Sequence, residues 1–123
     1  MRTAEMISTN PAGTGVDPAL LARVIDSLVA CAQACTACAD ACLAEESVAE
    51  LRRCIRTNED CADICATTAR VLSRQTAYDA DVTRALVQAC VQACRICGDE
   101  CASHADHHEH CRICAEEIGR AHV

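Results

Sequence analysis

Cys31, Cys35, Cys38 and Cys42 stand four, three and four residues apart, and Cys90, Cys94, Cys97 and Cys101 repeat that C-x-x-x-C-x-x-C-x-x-x-C pattern. A thiolate is a nucleophile, a redox group and a soft metal ligand, so the spacing must decide which chemistry is available. A helix turns about 100° per residue, which places offsets of 0, 4, 7 and 11 within a stripe roughly 60° wide. Cys54, Cys61 and Cys65 fit the same template with Asn58 in the fourth place. His107, Cys111, Cys114 and Ile118 give a fourth copy. All thirteen cysteines fall on these four stripes.

Neighbours on such a stripe have Cβ atoms about 5–6 Å apart. A disulfide needs about 3.5–4.5 Å, so these pairs cannot close within an intact helix. A Cu(I) ion between two sulfurs spans the gap, and soft thiolates select Cu(I) over hard cations. Bridging thiolates predict multiple Cu(I) ions per chain, about one for each cysteine. Zinc prefers closed tetrahedral sites on C-x-x-C turns. Iron–sulfur clusters need thiolates that converge on compact centres. Linear stripes favour neither. The bland alternative is that cysteine serves as a small buried hydrophobe, which explains a single residue such as Cys54 more readily than the whole set.

His104, His107, His108 and His110 cluster just before and within the start of the last helix. Neutral imidazole can pass or hold Cu(I), which makes them a candidate portal. His104 follows Cys101 by three residues and His107 fits the inward stripe, so the metal-ligand expectation covers His104, His107 and His108. A solvated polar loop explains His108 and His110 equally well. Glu45, Glu46, Asp106 and Glu109 near the same end could attract cations, although charges at helix ends need no such reason.

These side chains require long helices to carry them. Asp17-Pro18 is an N-cap with proline at the first helical position, opening a helix to about Glu46. Ser47-Val48-Ala49-Glu50 reads as a capping box for a helix to about Ser73. A third runs from about Tyr78–Asp81 to Ser103, and Asp106-His107-His108-Glu109 opens a fourth. The first and third carry cysteine in their C-terminal halves, the second and fourth in their N-terminal halves. Antiparallel packing therefore gathers all the sulfur at one end. The other end receives Leu20, Leu21, Val24, Val71, Leu72, Val82 and Leu86 as an apolar core. The expected fold is all-α, an antiparallel four-helix bundle with a short fourth helix and a cysteine-lined core.

A length of 123 residues suits one domain. Residues 1–16, with Asn10-Pro11-Ala12-Gly13 turn chemistry, read as a flexible arm and 17–123 as the metal-storage bundle. A net charge of −7 argues against nucleic acid. No secretory or twin-arginine pattern and no apolar span point to a membrane, so the expected location is the cytoplasm. Disulfides are rare there, and thirteen thiols cannot all pair within one chain.

The paired C-x-x-x-C-x-x-C-x-x-x-C runs, with Cys61-x-x-x-Cys65 between them and His110-Cys111-Arg112-Ile113-Cys114 after them, resemble the bacterial copper storage proteins over roughly residues 18–116. The resemblance implies a four-helix bundle, tetramers, and many Cu(I) ions on inward cysteines; this chain resembles the cytosolic branch. It departs at the end, because family members continue the fourth helix with more cysteines. Here Glu117–Val123 resembles an in-frame sequencing adapter, so Ile118 and Ala121 are expected to stand where cysteines belong, and His122 carries no functional weight. The functional expectation is high-capacity Cu(I) storage and detoxification without catalysis, with a copper chaperone as a possible partner. The alternative is a thiol-based redox or metal sensor, or a Zn/Cu-buffering interaction protein.

Overall fold

A computed structural model describes residues 1–120, and the expectations placed on Ala121 and His122 lie outside them. Among the described residues there are five α-helices and no strand: α1 Thr3–Ser8, α2 Pro18–Ala44, α3 Arg52–Leu72, α4 Ala80–Ser103 and α5 Glu109–Arg120. Helix α2 packs on α3 and α5, and α4 packs on the same two, so α2 and α4 face each other diagonally across a four-helix bundle. Short links between successive helices make neighbours antiparallel. Helix α2 is also long and apolar enough to cross a membrane. Its four cysteines, however, are buried in the bundle.

Two of the expected starts hold at the level of side chains. The Asp17 carboxylate accepts from the Ala19 N–H, and Asp79 accepts from the N–H groups of Asp81 and Val82. The capping box at Ser47 does not form. Ser47 makes no side-chain cap bond, Val48–Leu51 is a 3-10 turn, and α3 begins at Arg52. Leu51 at that turn is fully buried. Burying a leucine is worth about 1.5–3 kcal/mol, enough to override a cap worth about 0.5–2 kcal/mol. Helix α5 likewise starts later than the Asp106 box implies, with the His108 carbonyl accepting from Arg112.

The first sixteen residues, expected as a flexible arm, contain α1. Six residues cannot hold a helix alone. Burial of Ile7 anchors it, and Thr3 Oγ1 donates to Asp26 Oδ1 at 2.6 Å. The turn chemistry that follows is realised. Asn10 Oδ1 accepts from the Ala12 N–H, and Gly13 takes a positive φ of 69°. Thr14 Oγ1 then donates to Gln75 Oε1 at 2.7 Å, tying the segment to the α3–α4 link.

The apolar end differs from expectation. Leu21, Ile25 and Leu28 are buried with Ile7 and Ala69, but Leu20 is 48% exposed and Val82 61%, and Val24 is also exposed. Helix α5 has 12 residues and α4 has 24. At 1.5 Å per residue α5 stops about 18 Å short of matching α4. Leu20 and Val24 lie on the inward stripe of α2, but no described fourth helix reaches them. Ile118 closes the last described turn: it is buried and approaches Gly98, where a side chain would leave it only ordinary contact distance.

Candidate metal centre

Each cysteine stripe becomes one wall of a tube. All thirteen cysteines are buried and free. Through separations of up to 4.8 Å they link into one column of sulfur along the bundle. At the deep end, Cys65 Sγ lies 3.3 Å from Cys94, 3.8 Å from Cys31 and 3.8 Å from Cys90, and Cys61 lies 3.6 Å from Cys94. In the middle, Cys114 approaches Cys35 at 3.8 Å. Toward the helix-link end, Cys54 meets Cys101 and Cys38 meets Cys111, each at 3.9 Å. With metal–sulfur bonds of about 2.3 Å, two sulfurs on one ion sit about 4.0 Å apart in trigonal geometry and about 4.6 Å in linear geometry. The observed spacings need only a slight expansion to accept ions.

Four groups bring three or four sulfurs within reach of one ion. They are Cys31, Cys61, Cys65 and Cys94; Cys38, Cys42, Cys54 and Cys111; Cys35, Cys61 and Cys97; and Cys38, Cys101 and Cys114. Cys38 and Cys61 each belong to two groups, which is the arrangement bridging thiolates require. Every group draws on at least two helices, and no two-residue turn motif could build one.

Asn58 sits inside this tube, 0% exposed. Its Nδ2 donates to the Cys54 carbonyl at 2.8 Å and to the sulfurs of Cys54 and Cys101 at 3.3 Å. Its Oδ1 accepts from Cys114 at 3.2 Å and from Cys97 at 3.3 Å. A buried amide costs free energy unless its groups are paired. Here the thiols provide the partners, so the expected polar filler is a fully bonded hub between the deep sulfurs and those near the links.

The thiols titrate as a network. Burial, reinforced by the nearby Cys42, pushes Cys111 up to about 12. Burial also raises Cys42. Cys101 moves the other way, because the surrounding thiols of Cys114, Cys38, Cys54 and Cys97 favour its thiolate. A thiol must lose its proton to bind metal, so an arriving cation displaces the protons these sulfurs hold.

Three histidines and two carboxylates gather around the open end of the tube. His110 Nδ1 lies 3.4 Å from Cys38 Sγ and 3.6 Å from Cys111 Sγ, while its Nε2 meets Glu45 Oε2 at 3.1 Å. His108 Nδ1 reaches the same carboxylate oxygen at 2.6 Å. These bonds, His110's first, hold the Glu45 carboxyl below its usual range. His104 pairs with Glu100 at 3.2 Å, and Arg53 shares that carboxylate at 3.3 Å. His107 is exposed and departs from the inward stripe, because α5 begins two residues after it.

The structure thus brings all thirteen predicted cysteines together and sets His104 and His108 at the mouth, while His107 faces solvent. Sequence reasoning gave no weight to His110 as a sulfur neighbour. It precedes Cys111 by one residue and so lies off the stripe, yet in the first turn of α5 its ring curls over the tube. Helix direction alone placed Glu45 at the same end.

A helical bundle whose interior is a continuous column of free thiols defines a class of metal-storing proteins. The chain belongs to the copper storage protein family, whose model matches residues 18–121. It is 57% identical to a copper storage protein of Streptomyces lividans in a structure loaded with 10 copper equivalents, with a TM-score of 0.94 over 97% of this chain and 91% of that one. Another structure, described as a cytosolic copper storage protein from Streptomyces lividans with five coppers, is 62% identical over 82% of this chain and 84% of that one, with a TM-score of 0.81. A cysteine-rich protein of Bacillus subtilis called YhjQ is 36% identical over 92 residues, or 75% of this chain and 80% of its own.

Proposed function

We propose that this chain is a cytosolic, non-catalytic store for many Cu(I) ions, held by the thirteen thiolates of the tube. The observation that carries the reading is the series of buried sulfurs, linked by separations from 3.3 Å up to 4.8 Å and contributed by all four bundle helices. Ions enter past His108 and His110, with His104 beside them, and pass to Cys38 and Cys111. Each ion takes two or three thiolates and each thiolate serves more than one ion, which sets capacity at about one ion per cysteine. Loading displaces thiol protons and ties the helices together.

Tetramer formation and delivery by a copper chaperone belong to the same reading. The exposed apolar residues Leu20, Val24 and Val82 offer self-association a surface. A redox sensor would need accessible, low-pKa thiols, whereas these are buried. Titrating the reduced protein with Cu(I) against a competing chelator tests storage. About thirteen ions per chain are expected; one or two would favour a sensor.

A further inference from the structure

Glu45, His108 and His110 differ in kind from the sulfur column they cover. Glu45 ends α2, and the two histidines open α5. Their ligand atoms lie within 4.8 Å of one another. Both rings converge on one carboxylate oxygen, His108 Nδ1 at 2.6 Å and His110 Nε2 at 3.1 Å. The rings stack with centroids 5.5 Å apart. All three side chains are partly buried, 15%, 34% and 26% exposed for His108, Glu45 and His110. Two imidazoles and a carboxylate, with a fourth position open to solvent, form a donor set for a borderline divalent cation. Cu(I) gains little from the carboxylate, because soft ions prefer sulfur.

His110 gives the cluster its second argument. A histidine that binds metal through one nitrogen is normally oriented through the other. Here Nδ1 is held by the sulfurs of Cys38 and Cys111 at 3.4 and 3.6 Å, leaving Nε2 directed at Glu45. The neighbouring His104–Glu100 pair offers no such place, because Arg53 occupies that carboxylate at 3.3 Å.

We propose that Glu45, His108 and His110 form a separate site for a divalent cation of the Zn(II) type, lying over the mouth of the thiol tube. A cation there joins the end of α2 to the first turn of α5 across the opening. It occupies the face of His110 that points away from the sulfurs. On the storage reading, on which this consequence rests, the bound cation slows exchange of the copper beneath it.

The experiment uses the full chain filled with Cu(I), so that the thiols are occupied, and zinc alone as the probe. The copper count is read first, so a failure of storage shows before zinc is added. One Zn(II) per chain is then expected, with nitrogen and oxygen but no sulfur neighbours by X-ray absorption at the zinc edge. Glu45→Gln should keep the parent copper count, and both it and His108→Ala should weaken zinc binding at least about tenfold, the scale on which even outer-shell partners act. Zinc should also slow removal of copper by a chelator in the parent protein but not in Glu45→Gln. Sulfur-ligated zinc, no retained zinc, or variants that bind like the parent would overturn the site. Zinc bound as described with unchanged copper removal would overturn the closure.

Discussion

The two ends of the bundle are built from the same stripes and reach opposite outcomes. At one end all four helices are present, and every inward position from Cys31 to Cys42 and from Cys90 to Cys101 is buried. At the other, the continuation of the α2 stripe, Leu20 and Val24, is exposed, and the core shifts to Leu21, Ile25 and Leu28 under α1. Thiols are thus concentrated where four walls surround them, while ordinary hydrophobic burial at the other end contributes to holding the helices in register. A storage protein gains from that separation. Sulfurs that must open to admit ions need not also carry the stability of the empty fold.

The comparison predicts that capacity and stability can be altered independently. Replacing Cys31, Cys61, Cys65 and Cys94 together with alanine removes one complete sulfur group. About four ions should be lost from the Cu(I) stoichiometry, by the rule of about one ion per cysteine. Ile25→Ala at the apolar end should instead cost the metal-free protein about 2–5 kcal/mol in chemical denaturation and leave the copper count unchanged. If Ile25→Ala lowered the copper count as much as the cysteine variant, the two ends would not be separate.

Asn58 lies where the two roles meet. Asn58→Ala leaves the thiols of Cys97 and Cys114 without their acceptor, and the metal-free protein should lose about 1–3 kcal/mol. The smallest effect is on pH. Cys111 has an ordinary value of 9.0 and a folded value of about 12. Between them the folded state holds a proton that the unfolded chain has released. The contribution is complete below about pH 9 and falls away as pH rises toward 12. Thermal melts of the metal-free protein should therefore weaken across that window. A Cys111→Ala variant should show a shallower decline.

Much of this was readable before any coordinates. Helical rotation of about 100° per residue turns the spacing of four, three and four into a single inward line, and chain direction sends the four lines to one end. Periodicity shows which face of a helix can point inward, but not whether a partner is there to cover it. Leu20 and Val24 sit on the correct face of α2, and the 12-residue α5 does not reach them. Local rules failed where burial outweighed them, as when Leu51 turned the Ser47 box into a 3-10 turn. His110 escaped a stripe analysis because a residue in the first turn of a helix can reach around the helix end. Its tie to Glu45 crosses 65 residues of sequence.

The central claim is that the thiolates are bridging ligands along one axis. X-ray absorption at the copper edge of the filled, reduced protein addresses it most directly. The account predicts sulfur as the dominant neighbour together with a copper–copper shell much shorter than two metal–sulfur bonds end to end, about 4.6 Å. Copper seen with nitrogen or oxygen neighbours, or with sulfur but no nearby copper, would contradict it.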